Sequence, residues 1–181
     1  MGNDEGKLSI EKLKEIQSCL IGSKVDGLVD ASRYFVTRFE CFQILSFERG
    51  ADQQKHDRSC FLFNNLLLLT KTSYGKRLQY KAHFKLFDME VRNVPNSSDW
   101  KNMVILCTNQ ELLAILSFEN PHIKQIFIES LQEQIELERQ QECARKEKAR
   151  KETFQKVIQA KMEIEKVYTR NDKKYQIQMI F

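Results

Sequence analysis

The sequence predicts a mainly β fold with α content: a seven-stranded antiparallel barrel or sandwich, capped by a C-terminal helix that extends as a long charged helix. Three observations carry this. Between residues 33 and 137, apolar and polar residues alternate in short runs broken by turn-forming residues. Asn120-Pro121 then opens a stretch in which Ile123, Phe127, Leu131 and Ile135 recur every four residues. Beyond Leu137 that stripe stops and Glu, Lys and Arg dominate. The 181 residues therefore divide into an N-terminal linker helix (1–32), one domain (33–137), a charged helical extension (138–168) and a tail (169–181).

Each element has its own signal. Leu8, Ile10, Leu13, Ile16, Leu20 and Ile21 lie three and four apart, one stripe on a helix, with Gly22 as the expected stop. Such a stripe must cover something, either the central domain or a domain ahead of it. Residues 34–47 are rich in aromatic and β-branched side chains, enough for one bent strand or two. Residues 48–57 are polar and read as a mobile loop. Two apolar runs, 58–63 and 66–71, flank Asn64-Asn65, which predicts a tight hairpin in which asparagine supplies the positive φ of a primed turn. Further strands are expected at 79–86, 89–94, 103–108 and 112–118. Asn120 is the expected N-cap and Pro121 the first helical residue. Four buried side chains on that helix contribute roughly 6–12 kcal/mol before conformational entropy is set against them.

From Arg139 to Lys156 there are seven basic and three acidic residues, a surplus equal to the whole chain's formal charge of +4. Glu142–Lys146, Glu147–Lys151 and Glu152–Lys156 have the favourable order at spacing four, each stabilising the helix by about 0.2–0.5 kcal/mol. A weaker apolar stripe follows at Phe154, Val157, Ile158, Met162, Ile164 and Tyr168. The extension reads as a solvated helix, as an adhesive for anionic membrane, or as a helix that captures a protein partner through a coiled coil or a groove. The last seven residues alternate like a strand and carry no side-chain charge, so docking on a sheet edge is a further reading.

Several function classes are excluded. With 29 Lys+Arg against 25 Asp+Glu the chain is no polycation, and no nucleic-acid partner is expected. The longest stretch without an ionised side chain, 59–70, is too short to span a bilayer, and the acidic N-terminus lacks a signal-peptide core. Gly6 stands where a myristoylation signal requires Ser or Thr. Five cysteines without a Cys-x-x-Cys pair suggest free buried thiols in a reducing compartment, which points to the cytosol. His56, His83 and His122 are scattered, no glycine-rich phosphate loop is present, and Cys107 on an apolar strand is a core residue rather than a nucleophile. Neither enzymatic activity nor a cofactor is expected. Trp100 reads as a packing residue.

The segment Arg58-Ser-Cys-Phe-Leu-Phe-Asn-Asn-Leu-Leu-Leu-Leu-Thr-Lys71 resembles the Arg-x-x-Phe-Leu-Phe-Asn-Asp-Leu-Leu-x-x-Thr-Lys stretch of pleckstrin-homology (PH) domains in small-GTPase exchange factors. Tyr80-Lys-Ala-His-Phe-Lys-Leu86 is similar to the strand that follows it in that group. Residues 13–24 and 118–138 resemble the flanks of the PH domain in BRAG-type (IQ-motif and Sec-7) Arf exchange factors, and the similarity covers roughly 13–150. The Phe-Leu-Phe-Asn motif fits Dbl-type Rho exchange factors as well. None of the 181 residues resembles the Sec-7 catalytic domain, and the cap helix has Ile126 or Phe127 where many PH domains carry Trp.

The resemblance implies a peripheral membrane module on the cytoplasmic side. Its partners would be phosphoinositide-containing membrane and an Arf-family GTPase. The alternatives it leaves are a protein scaffold without lipid affinity and a PH fragment of a Rho exchange factor. Membrane recognition requires cations around the open end of the barrel, for which Arg33, Arg38, Lys55, Arg58, Lys71, Lys76 and Arg77 are the candidates. By motif position, Arg58 and Lys71 would face an inositol phosphate headgroup, with Lys76 and Arg77 reaching membrane phosphates.

Overall fold

A computed structural model describes residues 3–22, 25, 27–45, 54–73, 77–97 and 100–178, without the side chains of 3–9, 164–165 and 167–178. It divides into two units, Met1–Arg139 and Gln140–Phe181. Helix α1 (Asn3–Cys19) is followed by the short β1 (Leu20–Ile21), and then by β2 (Phe35–Ile44), β3 (Lys55–Phe63), β4 (Leu66–Thr72) and β5 (Leu78–Lys85). Strands β6 (Glu90–Asn93), β7 (Met103–Cys107) and β8 (Leu112–Ser117) complete the sheet, and α2 (Pro121–Gln178) ends the chain.

The seven expected strands are present, and the fold is the expected β-sandwich with a helix across it. The sheet order is β1-β5-β4-β3-β2-β8-β7-β6. Two features depart from expectation. An eighth strand, β1, pairs parallel to the start of β5, where every other pairing is antiparallel. Among the described residues the sheet also stays open, with β1 at one edge and β6 at the other. β3 starts at Lys55, three residues before the apolar run, because His56 and Asp57 pair with Gln43 and Phe42. Most of the expected 48–57 loop lies outside the described residues.

Strand alternation sorts the side chains onto two faces. Phe39, Cys60, Leu62, Leu67, Leu69, Val104, Leu106 and Leu116 pack inward with Phe127, Ile128, Leu131 and Ile135 of α2. Phe61, Phe63, Leu66, Leu68 and Leu78 point the other way, into a second core closed by Leu13 and Ile16 of α1 and by Val25 and Leu28. The N-terminal helix is thus part of the first unit, and the central strands β3 and β4 are buried on both faces. This explains their unbroken apolar runs. Trp100 packs in a third, small cluster around Ile44, Met103 and Ile115. Of the five thiols, Cys41, Cys60 and Cys107 are buried, Cys19 is half-buried and Cys143 is exposed. The Cys41 and Cys60 sulfurs lie 3.1 Å apart, and burial pushes the Cys60 thiol well up from its ordinary range.

The 64–65 turn forms by a different device from the expected one. Neither asparagine has a positive φ; that conformation falls to Asn102 (53°). Asn64 instead uses its side chain, accepting from the Tyr34 amide (3.0 Å) and donating to the Ser32 carbonyl (3.0 Å). Asn64→Ala leaves that amide without its acceptor and is expected to cost about 1–3 kcal/mol, measurable as a lower urea midpoint at unchanged slope.

Helix α2 starts as its sequence dictates. Asn120 Oδ1 accepts from the Ile123 amide at 2.9 Å. Phe127 fills the core position, with its ring 5.2 Å from Phe39 and 4.7 Å from Phe118, whereas Ile126 is exposed. In the second unit the Glu142–Lys146 and Glu147–Lys151 pairs form, at 3.6 and 2.7 Å. The helix continues through Gln178, so residues 175–178 are helical rather than strand-like.

Candidate functional site

The register brings one end of four strands together. Ile44 of β2 lies opposite Lys55 of β3, and Thr72 of β4 lies opposite Leu78 of β5, so the loops 45–54 and 73–77 leave the sheet at this mouth. Cys60 and Leu69 face each other across β3 and β4 and both point into the main core. Two residues toward the mouth on each strand, the same face carries Arg58 and Lys71. Gln79, opposite Lys71 on β5, and Gln43 on β2 flank this pair.

Arg58 is only 7% exposed. Its Nε donates to Gln43 Oε1 (2.8 Å) and its Nη1 to the Asp57 carbonyl (2.9 Å). Among the described residues no carboxylate lies within ion-pair distance of it. Burial pushes the guanidinium pKa down, while Cys41, Asp57 and Cys60 oppose that shift. A guanidinium remains charged despite such a shift, so Arg58 is a preorganised cation that forms no ion pair among the described residues. Lys71 beside it is exposed.

The other candidates scatter. Lys55 and Arg77 are exposed on the mouth rim, and the Arg77 carbonyl accepts from the Ser73 amide across the loop (2.8 Å). Arg38 is on the opposite face of the sheet: it pairs with Glu40, donates to Ser59 Oγ (3.1 Å) and lies over the Phe61 ring (5.1 Å). Arg33 is at the far end, where it clasps the 64–65 turn by donating to Asn65 Oδ1 (2.7 Å) and to the Gly27 carbonyl (2.6 Å). Burial lowers its pKa, while Asp30 and Glu138 oppose the shift. Lys76 lies outside the described residues. The structure therefore assembles Arg58 and Lys71, with Lys55 and Arg77 on the rim, and assigns Arg33 and Arg38 to holding the fold.

Gln43, which sequence reasoning passed over, aims the Arg58 guanidinium. Its signal was its parity with Phe39 and Cys41, which sets it on the inner face. Among the described residues no three His, Cys, Asp or Glu side chains cluster as metal ligands. No described helix is long and apolar enough to cross a membrane.

No curated protein sequence matches the chain. Many solved structures do. The activated truncation of Vav1 superposes with a TM-score of 0.57 at 23% identity, covering 72% of this chain and 33% of that one. The DH/PH domain of human ARHGEF11, solved with human RhoA and its inhibitor, gives 0.54 at 18%, covering 72% and 40%. The linker-DH/PH domains of p115-RhoGEF give 0.55 at 14%, with the same coverages. The chain thus spans about a third to two fifths of these neighbours, and at such identities the likeness is one of fold. The PH resemblance holds, without anything specific to Arf exchange factors. The SOS1/NGEF-like PH domain family matches residues 36–134, more than half of the sequence, and the chain belongs to that family.

Proposed function

We propose that the chain is the non-catalytic membrane-binding module of a small-GTPase exchange apparatus, and that its mouth takes a phosphoinositide headgroup between Arg58 and Lys71. The observation that carries this reading is the buried Arg58, aimed by Gln43 and, among the described residues, without a carboxylate in ion-pair distance. A phosphate would supply an anion to this cation, and charge-assisted hydrogen bonds to it are worth about 1.5–3 kcal/mol. Lys55 and Arg77 on the rim each add on the order of 1 kcal/mol near an anionic leaflet. The module would be recruited reversibly to the cytoplasmic surface of such membranes.

Sedimentation of the full chain with phosphoinositide vesicles, against phosphatidylserine vesicles of equal charge, tests this. A preference for phosphoinositide is expected to persist as salt rises from about 0.1 to 1 M, because the screening length falls from about 10 to 3 Å and removes the contribution of the rim but less of the buried contact. Equal binding to both vesicles at every salt concentration would refute a headgroup site.

For the GTPase, the neighbours solved with RhoA or named as a RhoGEF favour a Rho-type apparatus. The Arf assignment rests on the resemblances at 13–24 and 118–138. Pull-downs of the full chain with Rho-GTP and with Arf-GTP discriminate the two. A scaffolding role without lipid affinity is the second reading, favoured by Phe154, Val157, Ile158 and Met162, all exposed on the extension.

A further inference from the structure

The sheet ends at β6, and between its edge and α2 runs a groove of about 440 Å³ lined by Met89, Glu90, Val91, Arg92, Gln132, Ile135, Glu136 and Arg139. That volume is within the range of about 300–1,000 Å³ typical of ligand sites. The backbone phase of β6 follows from two hydrogen bonds. The Val94 amide donates to the Met103 carbonyl (3.2 Å) and the Phe118 amide to the Asn102 carbonyl (3.0 Å). Met103, Ile105 and Cys107 therefore bond toward β6, and their partners Val94, Arg92 and Glu90 bond back. Val91 and Asn93, out of phase with these, turn their amides and carbonyls to the open edge. Neither has a backbone partner there among the described residues. The next carbonyl in phase, that of Met89, is taken by Arg139 Nη2 at 2.9 Å, and Arg139 Nε takes the Phe87 carbonyl at 3.2 Å. The edge is thus closed at Met89 and open from Val91 to Asn93.

We propose that this edge binds an extended peptide segment of another protein, which adds as a further strand along β6 and fills the groove against α2. Two amide–carbonyl sets one dipeptide apart match the repeat of an extended main chain, about 6.6–7 Å, whereas a helix or a lipid surface has no free backbone to offer them. Alternate side chains of the segment drop over Val91 and Ile135, which calls for apolar residues at every second position. The lining charges cancel, Glu90 and Glu136 against Arg92 and Arg139, and Glu90 is already paired with Arg92 at 3.2 Å. The segment is therefore uncharged along these few residues. The proposal does not depend on lipid binding at the mouth.

Panning a display library of short random peptides against the full chain, followed by amide hydrogen exchange, tests it. Enriched peptides are expected to alternate apolar and polar residues and to slow exchange at Val91 and Asn93 by about tenfold or more, without affecting Arg58 or Lys71. Asn93→Pro removes one edge donor, and Gln132→Trp, at an exposed helix position, fills the groove without touching the core. Each is expected to weaken binding by about tenfold or more, the loss of roughly one good hydrogen bond. Absence of any enrichment, protection confined to β5 or to the mouth, or binding that survives both variants would each overturn the proposal.

Discussion

Phe127→Ala is expected to lower the unfolding free energy by about 3–5 kcal/mol, the cost of truncating a fully buried aromatic whose surroundings cannot close in. The Phe127 ring is 0% exposed and sits between Phe39 and Phe118, with Cys60, Leu62 and Leu116 in the same core. Edge-on and tilted contacts of this kind add about 0.5–1.5 kcal/mol beyond area burial. A domain of this size has only about 5–15 kcal/mol in total, so a large share would go. Ile126→Ala is the matched control. It removes an apolar side chain from the same helical turn, yet that side chain is 40% exposed, and a change of about 0.5 kcal/mol is expected. Urea denaturation of both variants, followed by circular dichroism, measures the difference. Equal costs would mean that α2 does not dock through Phe127.

The second large effect is on membrane binding. Arg58→Ala with Lys71→Ala is expected to weaken phosphoinositide-vesicle binding by about a hundredfold or more, since about 3 kcal/mol is lost when a buried guanidinium and its neighbouring ammonium both go. The two residues share one face of neighbouring strands, so the double variant is not expected to be the sum of the singles. Arg58→Lys should retain little of the binding, because an ammonium cannot reproduce the guanidinium fork that Gln43 aims. Arg38→Ala supplies the contrast. It removes a cation only a few residues away on the neighbouring strand but on the opposite face, and its expected effect on binding is less than about twofold. If Arg38→Ala reduced binding as much as the double variant, the inner face would not be the site.

How much of this could be read beforehand depends on whether the determining contacts were local. The runs that became β2 to β8 announced themselves through period-two alternation or unbroken apolar stretches, and α2 through Asn120-Pro121 and its spacing of four. β1 escaped notice because two residues carry no period; Leu20 and Ile21 become a strand only because β5 lies alongside. The asparagine pair marked the turn correctly but for the wrong reason, since the Asn64 side chain bonds to residues some thirty positions away. In the candidate site, Arg58 and Lys71 came from motif position, and the parity of Cys60 and Leu69 places them on one face. The placement of Arg33 and Arg38 was not legible in the same way. A register irregularity between Phe35 and Thr37 resets the alternation just before Arg38, and Arg33 is captured by Asn65 across the turn.

The second core, under α1, sets where the molecule can be cut. A fragment trimmed to the family-matched stretch would strip Leu13, Ile16, Val25 and Leu28 from the sheet and bare Phe61, Phe63, Leu66, Leu68 and Leu78 to solvent. An apolar face of that kind on a β-surface invites self-association. The minimal soluble fragment for recombinant expression therefore starts upstream of Leu13, and a trimmed version is expected to precipitate where the longer one stays monodisperse in size-exclusion chromatography.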